Sequence, residues 1–131
     1  MPEINLIAVL AGTAVAFVAG GAYYAALGAQ LVQVSAAAAA GEPRPPWQLA
    51  SVEFVRCLVL SAVVAGLVAG AGITGWAGGL LLDAVLWIGF PFVLWTGAIF
   101  HERTPLKLAA IHAGDWLVKL LAVGAVVSVW S

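Results

Sequence analysis

Four stretches of almost unbroken apolar character alternate with three short segments rich in glycine, proline or charge. The stretches cover about Ile4–Val34, residues 49–71, 76–100 and 106–130. Each reaches the roughly 20 residues that a helix needs to cross the hydrocarbon of a bilayer. None shows the two-residue alternation of a half-buried strand. The pattern therefore predicts an all-α polytopic membrane protein, a four-transmembrane-helix bundle forming one domain over 1–131. The first stretch is overlong, and is expected to project from the membrane or to end before Ala36–Ala40. In the segment "AAAAAGEPRPPWQ", Pro43, Pro45 and Pro46 cannot continue a helix. The segment "GAGITGW" reads as a tight glycine-rich turn. In "HERTP", Pro105 falls at or near the first turn of the last helix, where a missing N–H is tolerated. Pro91, inside "WIGFPFVLW", removes the bond to the Trp87 carbonyl and predicts a kink in the third span.

Composition sharpens this reading. The 131 residues are 64% hydrophobic and 8% charged, whereas soluble domains are about 25% charged. The net charge of −1 and the absence of a basic block exclude nucleic acid as a partner and leave membrane lipid. One cysteine, Cys57, excludes an internal disulfide and a multi-cysteine metal or redox site. The N-terminal stretch carries Glu3 in place of a basic n-region, and its apolar run is too long for a signal peptide, so it is expected to remain as a span.

Charge placement gives an orientation. Arg44, Arg56, Arg103 and Lys107 all belong to the first and third loops or their flanks, and the termini and second loop have no Lys or Arg. By the positive-inside rule those two loops face the cytoplasm, and both termini lie outside it, in a cell inner membrane. Trp47 and Trp95 then lie towards the inner interface, and Trp76 and Trp130 at the outer one. Small residues recur at four-residue spacing: Gly12, Ala16 and Gly20; Ala62, Gly66 and Gly70; Gly75 and Gly79; Ala110 and Gly114. Such stripes let helix backbones approach closely, inside one bundle or between copies. They are more than one thin bundle can cover, so a homo-oligomer is expected.

Against this apolar background "IHAGDWLVKLLAVG" stands out, with His112, Asp115 and Lys119 within an arc of about 60° on one helix face. Asp115 lies some 13 Å and Lys119 about 20 Å along the helix from Leu106. Asp83 is in the third span. An ionised side chain at the bilayer centre costs at least about 2.5–3.5 kcal/mol, so these groups need partners. Asp115 and Lys119 form an acid-to-base pair at i,i+4, and the lysine is long enough to reach towards Asp83 as well. The cluster is thus polar glue between helices or a cavity that handles a solute, ion or proton. Two carboxylates and one ammonium leave one negative charge, which a protonated His112 or a bound cation would cancel. A second group, Glu53 and Arg56 with His101, Glu102, Arg103 and Lys107, reads as a cytoplasmic rim with snorkelling bases that could gate access.

The stretch from "WIGFPFVLW" to the end resembles small bacterial four-helix membrane proteins known as domain of unknown function 1761. The resemblance rests on Trp87, Gly89 and Phe90, on the acidic loop residue Glu102, and on Ile111 and Gly114. In the first helix "FVAGGAYYAALG" is similar to the family through Phe17, Gly20 and Tyr24. His112 stands where the family has asparagine, Asp115 where it has tyrosine, and Ala25 and Ala26 replace a Ser-Pro pair. The resemblance implies the four-helix fold and brings no activity with it.

There is no nucleotide-binding loop, no metal-ligand spacing and no nucleophile–base motif, so no cofactor and no metal are implied. Three function classes remain. The first is a homo-oligomeric transporter- or channel-like protein working at the intramembrane cluster. The second is a structural or accessory subunit with the cluster as glue. The third, an enzyme acting on a lipophilic substrate, rests only on His112 and Asp115 and stands behind the others.

Overall fold

The computed structural model describes residues 4–35 and 45–129, and these described residues form five helical segments that make four spans. They are α1 (Leu6–Val34), α2 (Pro46–Gly70), α3 (Trp76–Gly89), α4 (Pro91–Glu102) and α5 (Leu106–Val129). All four spans are long and apolar enough to cross a membrane, with α3 and α4 together forming the third. The expectations for Ala36–Ala40, Pro43, Arg44 and Trp130 fall outside the described residues.

The helix ends follow from local chemistry. Asn5 caps α1, its side-chain oxygen accepting from the N–H groups of Ile7 (3.0 Å) and Ala8 (3.3 Å). The second span begins at Pro46, three residues before the expected Leu49. At the first helical position the missing N–H is an orphan anyway, so Pro46 starts a helix that it could not have continued. The end of α2 is a Schellman turn. Ile73 N–H bonds the Val68 carbonyl (3.0 Å), Gly72 N–H bonds that of Ala69 (3.2 Å), and Gly72 takes φ +67°. Pro91 breaks the third span as expected. Phe90, with φ −124° and ψ −77°, separates α3 from α4, and the ladder resumes with Leu94 N–H on the Phe90 carbonyl.

The bundle is organised around α5, which packs against α1, α2, α3 and α4. Its inward face therefore carries Asp115, Lys119, Leu120, Val123, Gly124, Val127 and Ser128, all buried. The core they join is small-sided, with Ala16, Val64, Val68 and Val123 at most 1% exposed. Outward positions such as Leu10, Val18, Val59, Leu81 and Ile88 are large and exposed, the inversion of a soluble surface that a lipid solvent requires.

Two of the small-residue stripes are consumed inside the bundle. A Cβ on Gly12 would meet Ser61 Oγ at 2.5 Å, and Ser61 donates instead to the Val9 carbonyl of α1 (2.8 Å). Gly79 lies against Gly124 and Ser128 of α5. On α2 the stripe behaves differently, because Gly70 has nothing within 4 Å.

Candidate functional site

The ionisable residues foreseen as one cluster are distributed over three places along α5. Asp115 and Lys119 stay together, one turn apart on the inward face, with Lys119 Nζ 2.9 Å from Asp115 Oδ2. Both are almost wholly buried, at 3% and 4% exposure. The second partner of Lys119 is not Asp83. It is Glu53 of α2, whose Oε1 is bonded by the ammonium. Glu53 also accepts from Arg56 (2.9 Å), one turn further along α2, and the Cys57 thiol lies 3.7 Å away. Glu53 and Arg56, read from the sequence as rim residues, are thus joined to Lys119 and Asp115 by ion pairs.

The result is a chain of four charges, Arg56–Glu53–Lys119–Asp115, alternating in sign. Side-chain exposure falls along it from 56% to 30% to 5% and 5%, so it runs from the bundle surface to its centre. Glycine makes the inner end possible. A Cβ at Gly20 of α1 would meet Lys119 Cε at 2.5 Å, so α1 can close over the lysine only because that position has no side chain. The outer end opens into a groove of about 630 Å³ between α1 and α2, lined among others by Phe17, Gly21, Tyr24 and Gln48. One polar atom at the inner end, Asp115 Oδ1, is buried with no hydrogen-bond partner.

His112 sits in an aromatic box away from the ion pairs. Tyr24 Oη and His112 Nδ1 share a hydrogen bond of 2.8 Å, and Trp95 stacks on the imidazole with centroids 5.0 Å apart and planes 15° apart. The neighbouring Tyr23 donates to the Ile111 carbonyl (2.6 Å), lying across Gly114, and Trp87 Nε1 donates to the Ala113 carbonyl (2.8 Å). Two helices, α1 and α3, thus hold this stretch of α5 by side-chain hydrogen bonds, and α4 adds the stacked ring of Trp95.

Asp83 occupies the third place. It is 0% exposed, and neither carboxylate oxygen has a hydrogen-bond partner. Its carboxyl group fills the space in front of Gly124, where any Cβ would collide with it. One turn away Ser128 Oγ donates to the Gly124 carbonyl at 2.5 Å. The long reach from Lys119 to Asp83 expected from the sequence does not occur, because Gly124 brings Asp83 against the backbone of α5 a turn beyond the lysine.

The remaining rim residues, His101, Glu102, Arg103 and Lys107, are exposed around the turn between α4 and α5. Arg103 takes a left-handed conformation (φ 57°) to cap α4, and Lys107 donates to Gln33 of α1 at 3.4 Å. Sequence reasoning passed over Tyr23 and gave Tyr24 and Gly20 no chemical role. The four-residue spacing of Gly20 and Tyr24 puts them on one face of α1, and that was the available signal.

Neither the comparison with curated proteins nor that with solved structures finds a match. A family model described as "Protein of unknown function (DUF1761)" matches residues 7–128, nearly the whole chain, and includes every group of the charge chain, the aromatic box and Asp83. The chain belongs to this family.

Proposed function

We propose that the protein is a small transporter- or channel-like membrane protein that handles a proton or small ion at Glu53, Lys119 and Asp115, working as a homo-oligomer in a cell inner membrane. The observation that carries this reading is the graded burial of the charge chain. Four ionisable groups of alternating sign lead from a groove at the surface to the middle of the bundle, and side chains of this kind inside a membrane mark ion and proton paths. A lysine between two carboxylates can exchange one for the other as partner, which supplies a step for a moving charge. Purified protein in liposomes containing a pH-sensitive dye, with a potassium diffusion potential applied, tests it. Flux above empty liposomes, lost in Lys119→Met and kept in Glu102→Gln, is the expected result. No flux of protons, sodium, potassium or chloride under any potential would overturn it.

A second reading has its own support. Lys119 is neutralised by two carboxylates, and Tyr23 and Trp87 bind backbone carbonyls of α5, so the polar groups also suffice as interhelical glue for a structural or accessory subunit. That reading predicts the absence of flux together with full stability.

A further inference from the structure

Asp83 is the buried acid that the charge chain leaves out. It is 0% exposed, and neither carboxyl oxygen has a hydrogen-bond partner. The group is pressed against α5 where Gly124 has no side chain. Gly79, one turn earlier on α3, gives the same close approach to the Gly124 carbonyl and the Ser128 hydroxyl. Two glycines, one on each helix, thus bring α3 and α5 together around a single carboxyl group.

No cationic side chain balances it. Arg56 and Lys119 are matched by Glu53 and Asp115. Among the described residues 4–22, 58–100 and 120–129, which include all of α3 and the whole of α5 beyond Lys119, Asp83 is the only titratable side chain. Of the helices packed on α3, α4 carries its titratable groups, His101 and Glu102, at its far end. On α5 the nearest is Lys119, more than a turn before Gly124 and already bonded to Glu53 and Asp115. An ionised carboxylate without a partner in such surroundings is among the costliest groups a bundle can hold, and neutralisation is its escape. A proton cancels the charge with no further ligands, whereas a metal cation needs a shell of oxygens. The Gly124 carbonyl and the Ser128 hydroxyl on the facing turn are already engaged with each other at 2.5 Å. A protonated carboxyl also gains an O–H donor, for which these two oxygens are the acceptors on the facing turn.

We propose that Asp83 is a proton-binding site of the folded protein, separate from the charge chain. The carboxyl holds a proton at neutral pH, and its neutral form is what lets α3 close on α5 at Gly79 and Gly124. The proposal does not rest on ion movement through Glu53, Lys119 and Asp115, since it concerns the resting state of a group on another helix.

Dicyclohexylcarbodiimide tests it, because the reaction begins with a protonated carboxyl. The acid proton passes to one carbodiimide nitrogen, the carboxyl oxygen bonds the central carbon, and the adduct rearranges to a stable acylurea that peptide mass spectrometry locates. In phosphatidylcholine nanodiscs at about pH 7, far above the aspartate range of about 4, we expect Asp83 to be modified and the exposed Glu102 to be spared. The rate is expected to fall about tenfold per pH unit once the proton is released. Infrared spectra give a readout that needs no access for the reagent. The carbonyl stretch of a protonated carboxylic acid is expected in wild type and is expected to be lost in Asp83→Asn, which keeps the shape of the neutral acid. That band without modification supports the proposal and places the acid beyond the reagent's reach. No difference between the two spectra in the acid region at about pH 7 would mean an ionised Asp83 and would overturn it. Sodium ions that slow the modification and remove the band at constant pH would make this a metal-cation site, and would overturn it too. If Asp83→Asn fails to fold, isotopically labelled aspartate in Asp115→Asn leaves Asp83 as the only labelled carboxyl group, and absence of an isotope-shifted acid band overturns the proposal.

Discussion

Removing Lys119 is expected to cost more than removing Lys119 and Asp115 together. In Lys119→Met, Asp115 keeps its burial at 3% exposure and loses its ammonium, and Asp115 Oδ1 already has no hydrogen-bond partner. Breaking a buried pair on one side costs about 3–5 kcal/mol, because the surviving charge is left uncompensated. Asp115→Leu is milder. Lys119 retains Glu53, so the loss is that of one charged hydrogen bond, about 1.5–3 kcal/mol. The double variant leaves no stranded group. Glu53 retains Arg56, and an apolar pair of similar volume fills the space, so stability is expected within about 1–2 kcal/mol of wild type. The two single losses exceed the double loss by a coupling energy of about 2.5–7 kcal/mol. Reversible unfolding of the four proteins in mixed micelles, driven by an anionic detergent, measures each corner of the cycle. Single losses that add to within about 0.5 kcal/mol in the double variant would show that the two residues do not form a pair.

Gly124→Ala places a methyl group in the Asp83 carboxyl and is expected to cost about 1–3 kcal/mol or to force α3 from α5, with Asp83→Ala in the same chain recovering most of the loss; an innocuous Gly124→Ala would refute the contact. Tyr24→Phe removes the bond to His112 and is expected to lower stability by about 1 kcal/mol in the same unfolding assay, and an unchanged midpoint would count against that bond. A reporter active only in the cytoplasm, fused to either terminus, is expected to stay silent, and one inserted in the loop between α1 and α2 to signal, following the bias of Arg44, Arg56, Arg103 and Lys107. Native mass spectrometry from mild detergent is expected to give a dimer or larger species, and a monomer in every detergent and in nanodiscs would refute the homo-oligomer.

The fold was almost wholly legible because a membrane leaves a chain few options. Backbone groups in hydrocarbon must bond within their own segment, so an apolar run of sufficient length can only be a helix or part of a closed barrel. Glycine and proline then marked the joints. Gly72 adopts the positive φ that closes α2, and Pro91 breaks the third span at the residue before it. The start of α2 was misplaced because proline forbids a helix from continuing yet favours its beginning, and "PRPP" does not say which role each proline has. Pro46 takes the second.

The site was legible along a helix and illegible between helices. Asp115 and Lys119 were paired correctly because an i,i+4 relation is set by the helix itself. Which further carboxylate meets Lys119 depends on how α2, α3 and α5 are offset along their axes, and periodicity carries no information on offset. Two directional facts could have corrected the choice. A helical side chain leans towards the N-terminus of its helix, so Lys119 reaches back to the level of Asp115 and the end where α2 begins. Asp83 lies in the first third of the third span, which runs from the opposite end, and Glu53 lies in the first third of α2. The lysine therefore had to find Glu53. Asp83, left beyond reach, is tolerated only because Gly124 lets its carboxyl rest against a backbone rather than a side chain. The glycine stripes are thus part of the electrostatics. Gly20 admits the ammonium and Gly124 admits the carboxyl, and each determines which helix can approach the polar group opposite it.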